Sequence, residues 1–275
     1  MSTPAPNPLY WSLRRELWEN RFLYVAPLVV NAFVLFGSFA TVIALASKDA
    51  SVLKPFRMAP APIMLTTLLI GMFYSLDALY GERRDRSILF WKSLPVSDRT
   101  TVLAKAAIPL AVLPLFAWAL SVITQVIMMV LSVPVLLGNG ISPARAFANF
   151  HFFEGLVVMI YGLTVHALWF APIYGWFMLI SAWARRAPFL WAILPLLAIS
   201  ALERIMFGTS AFMLLLGYRM TGAMRTAFVS HEGADLIVDL TPGRFLSTPG
   251  LWAGLVFAAI CFAAAIRVRR HKEPI

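Results

Sequence analysis

The chain has 275 residues, 60% of them apolar and only 13% charged, with 23 Lys and Arg against 13 Asp and Glu and a formal charge of +10. A soluble domain carries about 25% charged residues, so this composition excludes a soluble enzyme and a disordered chain, and the single Cys261 excludes an intrachain disulfide. The basic residues border apolar runs instead of forming one face, which argues against nucleic acid as a partner.

At about 20 residues per crossing, the chain has room for roughly six transmembrane helices and no large soluble domain. Before the first crossing, Leu9, Tyr10, Leu13 and Leu17 share a helical stripe from which Arg14, Arg15 and Glu19 turn away. With Trp11 and Trp18 at headgroup level, residues 1–22 read as an amphipathic helix lying on lipid. Asn20 is out of place on that stripe. Apolar runs follow at 23–46, 60–80, 106–137, 153–183, 188–215 and 249–266. The first exceeds the 7–15 residues of a signal-peptide core and reads as a retained span. All six are too long, and too little alternating, for barrel strands. The expected fold is therefore all-α, one transmembrane domain over 1–275. The third and fourth runs are long enough to tilt or to project beyond the bilayer, and Pro109, Pro114, Pro134 and Pro172 are positioned to kink them. With the N-terminus inside, 15 Lys and Arg fall on the inner side and 8 on the outer, so both termini are expected in the cytoplasm.

The loop after the second run, 81–105, is longer than a simple connector and mixes dense charge with apolar residues. Glu82, Arg83, Arg84, Asp85 and Arg86 lead into Ser87, a good N-cap; Ile88, Phe90, Trp91, Lys92 and Leu94 follow, and Pro95 ends the segment. A short helix over 88–94, parallel to the membrane, is expected, with Ile88, Trp91 and Leu94 on one face seeking burial in headgroups or in a partner protein.

This loop resembles that of the membrane subunit of ABC-2 type transporters. The matching residues are Glu82, Ser87, the Leu94-Pro95-Val96-Ser97 element, Arg99 and Lys105; a Gly-Thr pair common ahead of the family's coupling helix is Arg86-Ser87 here. The resemblance implies a permease half in the cytoplasmic (inner) membrane. It would pair with a second half, identical or paralogous, and couple through 82–95 to two copies of a cytoplasmic ATPase that bind ATP and Mg. It further implies export; the aromatic-rich, charge-poor spans suit a hydrophobic or amphiphilic substrate. The chain itself has no P-loop, so no cofactor and no enzymatic activity are expected in it. In 205–248, an apolar piece with Phe212, Leu215 and Leu216 is too short to cross; the resemblance implies a re-entrant gate there, and the alternative is a long fifth helix followed by an interfacial segment.

Several residues remain as competing candidates. Asp77 or Glu203 would titrate in an ion-gradient-driven transporter, and a non-transporting assembly or sensor subunit is the other alternative. Asp77 is placed to reach Arg84, and Glu203 to pair with Arg204. His166 is expected to bond a helix backbone. His231, Glu232, Asp235 and Asp239 cluster without zinc-protease spacing. Gly250 and Gly254 form a small-xxx-small pattern suited to close helix approach.

Overall fold

A computed structural model describes residues 8–45, 56, 59–93, 96–148, 151–228 and 240–271. Leu94, Pro95 and the His231, Glu232, Asp235 and Asp239 cluster lie outside them. The described chain is helical, and a single bridge between Phe228 and Leu240 is its one β-type pairing. The helices are α1 (Pro8–Glu19), α2 (Phe22–Leu45), α3 (Pro60–Asp77), α4 (Tyr80–Arg84), α5 (Ser87–Ser93), α6 (Asp98–Ala107), α7 (Leu113–Gly138), α8 (Pro143–Ala148), α9 (Phe152–Trp183), α10 (Pro188–Phe207), α11 (Ala211–Ala227), α12 (Pro242–Leu246) and α13 (Pro249–His271). Among the described residues, six helical stretches are long and apolar enough to cross a membrane, the mark of a multi-pass membrane protein.

The long third and fourth runs have a physical explanation. Asp98–Gly138 is one helical stretch because Pro109 lies in a π-helical turn, Ile108–Val112, which absorbs its missing N–H without a break. At 1.5 Å per residue, its 41 residues extend about 60 Å, twice the roughly 30 Å hydrocarbon core. It starts earlier than expected because Ser97 caps it: Ser97 Oγ accepts from Thr100 N at 3.1 Å, and Asp98 sits in the first turn, where the helix dipole favours an acid.

In lipid, burying apolar area adds little, so small residues and polar contacts must hold the spans together. α9 and α13 pack together at Gly175, where a Cβ would stand 3.2 Å from Ala258 O. Gly71 likewise lets α3 approach Tyr174 and Pro109. Thr66, Thr67, Ser121 and Thr124 bond carbonyls of their own helices, the usual partner for a hydroxyl in lipid.

The fifth run ends sooner than its composition suggests. α10 stops at Phe207 because Gly208 takes a left-handed conformation (φ 67°) and caps it, with its N–H donating to Arg204 O. α11 is a separate helix. Most of α10 stands clear of the bundle beyond the buried Ala192, whereas α11 returns to pack Ala223 and Ala227 against Val165 and Trp169 of α9.

Candidate functional site

At the end of the bundle that carries α4 and α5, six charged side chains from four elements meet. Glu82 of α4 is the hub. Arg15 of α1 reaches its Oε1 at 3.3 Å, Lys105 of α6 at 3.2 Å, and Arg269 of α13 forms a tight ion pair with Oε2. Glu16 of α1 is a second acceptor, taking Lys105 Nζ at 2.8 Å, Arg15 Nη2 at 2.7 Å and the Tyr74 hydroxyl at 2.7 Å. Asp98 holds Arg269 Nε at 3.1 Å. Three acids thus face three bases. The cluster is deeply buried: Glu16 is 1% exposed and Glu82 8%. Charges at that depth are tolerable only when paired and hydrogen-bonded. Burial by itself would raise the Glu16 carboxyl, but Lys105, Tyr74 and Arg15 outweigh it and hold the group below its usual range.

This cluster explains α1. Its buried face is polar, with Ser12 and Glu16, while Leu13 and Leu17 pack on the bundle core. Leu9, Tyr10, Trp11 and Trp18 are exposed, with Arg14 stacked over both Trp rings. Asn20, out of place on an apolar stripe, belongs to the polar face and donates to Glu16 O at 3.0 Å. α1 is therefore clasped to the bundle by ions on one side and displays aromatics on the other.

Arg83 fixes the loop to α9. It is buried, and its Nη2 donates to Ser181 O at 2.9 Å and to Ala184 O, the carbonyls that the end of α9 leaves unpaired. Ser181 Oγ in turn accepts from Leu79 N and Tyr80 N at 3.0 and 2.9 Å. Ahead of α5, Arg86 adopts a left-handed conformation (φ 57°) that glycine would hold without strain. This is the place where the Gly of the resembling family's Gly-Thr pair would fall.

Ile88 and Trp91 share one buried face of α5, but it is covered by this chain itself. Ile88 is 1% exposed, and Trp91 is half-buried with the Arg15 guanidinium 3.9 Å from its ring centroid. That face anchors the helix to its own chain. Leu89 and Phe90, each 60% exposed, form the displayed face, flanked by exposed Arg84, Asp85 and Arg86. Of the residues singled out for the loop, Glu82, Arg83 and Ile88 therefore point inward. Lys92 lies on α5.

The other candidates are engaged elsewhere. Asp77 lies 3.7 Å from Arg84, and both are exposed. Glu203 does not pair with Arg204; it accepts from Thr209 Oγ1 (2.6 Å), Ala211 N (2.7 Å) and Phe212 N (2.9 Å), capping α11. His166 bonds the Tyr174 hydroxyl at 3.0 Å, not a backbone carbonyl. The Gly250 and Gly254 pattern receives a side chain in place of a helix: Arg219 of α11 donates to Gly250 O at 3.2 Å and lies where a Gly254 Cβ would collide with it. Arg219 also stacks on Trp169, whose Nε1 donates to Arg219 O at 2.7 Å. α11 is thereby pinned to α9 and α13, with Phe212 half-buried and Leu215 exposed near its start. Leu216 is half-buried. No group of three or more His, Cys, Asp or Glu able to hold a metal occurs among the described residues.

No protein-family model matches the chain, and no curated protein matches it. Sequence reasoning missed Glu16 and Arg269. Glu16 had a signal in Asn20, one turn away on the same face; Arg269 had none, being 187 residues from its partner Glu82.

Proposed function

We propose that the chain is the permease subunit of an ABC-2 type transporter, driven by a separate cytoplasmic ATPase that docks on α5. One observation carries this reading: α5 is rigidly anchored on one face and displays Leu89 and Phe90 on the other. Exposed apolar residues with a charged rim are the composition of a protein interface. The connections behind the helix suit force transmission. A push on α5 reaches α1 through Trp91 and Arg15, α9 through Arg83 and Ser181, and α6 and α13 through Glu82. Three of the spans and the interfacial helix would then move with the loop as one body, which is what converts nucleotide-driven closure of a partner into a change of the pathway.

In this reading the charged end faces the cytoplasm of a cell whose inner membrane the chain spans. A second permease half completes the pathway, and the cargo is a hydrophobic or amphiphilic compound. Co-expression with the co-encoded ATPase tests it. The wild-type chain is expected to co-purify with the ATPase, and a Leu89→Asp/Phe90→Asp variant to lose it while retaining its own melting temperature. Retained association in that variant would overturn the docking role of α5.

A further inference from the structure

A cavity of about 730 Å³ lies between α3, α7, α9 and α11, remote from the charged cluster. Its walls follow α9 from His151 to Phe170. Nineteen helical steps are about 28 Å, long enough for an extended acyl chain. The lining is almost wholly apolar, and three of its four polar side chains, Gln125, Thr221 and His166, are engaged with the protein. Gln125 Nε2 donates to Phe56 O at 3.5 Å, Thr221 Oγ1 to Gly217 O at 3.0 Å, and His166 bonds Tyr174 at 3.0 Å. An ordered water needs two to four polar partners, and this wall offers few.

The sequence keeps the space open at a cost to the helix. Gly155 and Gly162 are two turns apart on the cavity face of α9. A Cβ on Gly155 would meet nothing within 4 Å, and one on Gly162 only Phe228 at 3.8 Å. Each glycine forgoes roughly 1 kcal/mol of helix propensity relative to alanine, and close approach of a neighbouring backbone does not explain either.

We infer that this cavity binds a hydrocarbon chain of an amphiphile whose polar head lies beside His151, a polar residue of the lining. The source is either a membrane phospholipid or a free single-chain amphiphile; both present the same alkyl chemistry. The site belongs to one chain and needs neither the ATPase nor a second half, so it stands or falls separately from energy coupling.

The test uses the full chain in phospholipid vesicles with two photoactivatable probes, a diazirine-bearing palmitic acid and a phosphatidylcholine carrying the same chain. Irradiation and peptide mapping are expected to place label on 155–170 of α9 and 220–227 of α11 at least five-fold above the exposed 194–207 stretch of α10. A Gly155→Leu/Gly162→Leu variant should cut the cavity label five-fold and leave the α10 label unchanged. Labelling by the fatty acid alone identifies a free amphiphile, by the phospholipid alone a resident lipid, and either supports the site. Cavity label no greater than that on α10, or unaffected in a folded double variant, overturns it. Should the variant not fold, excess unlabelled palmitic acid and phosphatidylcholine acting on the wild-type chain decide the matter: competition supports the site, and its absence overturns it.

Discussion

Glu82→Gln is the most informative single change in the charged cluster. It keeps the shape of the side chain and removes one negative charge, so the three bases Arg15, Lys105 and Arg269 face only Glu16 and Asp98. Breaking one partner of a buried ion network destabilises by about 3–5 kcal/mol. Because Lys105 keeps Glu16 and Arg269 keeps Asp98, the lower figure, about 3 kcal/mol, applies. At about 2–4 °C per kcal/mol for a chain near this size, the melting temperature of the purified protein falls by about 6–12 °C. Charge balance, not the loss of a particular contact, is the cause. Adding Lys105→Met to Glu82→Gln leaves two acids facing two bases, and the double variant recovers at least half of the loss. A melting temperature for Glu82→Gln within 1 °C of wild type would refute the argument, as would a double variant less stable than the single one.

Ile88→Ala, at the buried anchor of α5, is expected to cost about 2–5 kcal/mol, whereas Leu89→Ala on the exposed face changes stability by less than about 0.5 kcal/mol; thermal melts of the two compare them directly. Arg86→Gly removes left-handed strain worth about 1–2 kcal/mol against about 0.5–1 kcal/mol of added chain entropy, so it stabilises by about 0.5–1 kcal/mol while Arg86→Val destabilises. The Glu16 carboxyl is held below its usual range in the folded chain. Its contribution is therefore fully present above the unfolded value of about 4.3 and is lost as pH falls through the lower folded value. Limited proteolysis of α1 as a function of pH should show release only below about pH 4, and Glu16→Gln should loosen α1 at neutral pH. Release beginning near pH 6 would contradict the pairing.

The six crossings were legible because lipid leaves an apolar run no option but helix, and their positions follow the sequence to within a few residues except at the third and fifth. At the third, Ser97 and Asp98 extend the helix beyond its apolar part. At the fifth, the continuous apolar look of 211–217 hid the break at Gly208, although Gly208-Thr209-Ser210 carries a turn composition. The loop helix was readable from Ser87 and the apolar residues after it, but not the partner of its buried face. Spacing put Ile88 and Trp91 on one face that needs burial, but not what buries it: the chain's own Arg15, arriving from α1, covers Trp91 and leaves the 89/90 face displayed. The cluster around Glu82 escaped for a related reason. Its members are spread from residue 15 to residue 269, and each alone resembles an ordinary charge at a membrane border.

Photo-crosslinking from the displayed face of α5 tests the central claim most directly. If the proposed docking holds, benzoylphenylalanine incorporated at Phe90 should, in cells that also express a candidate ABC ATPase, yield a covalent product with that subunit whose amount changes with nucleotide state, while the same probe at Phe33 of α2 yields none. Crosslinks from Phe90 to lipid alone, with that candidate ATPase present and active, would contradict the account.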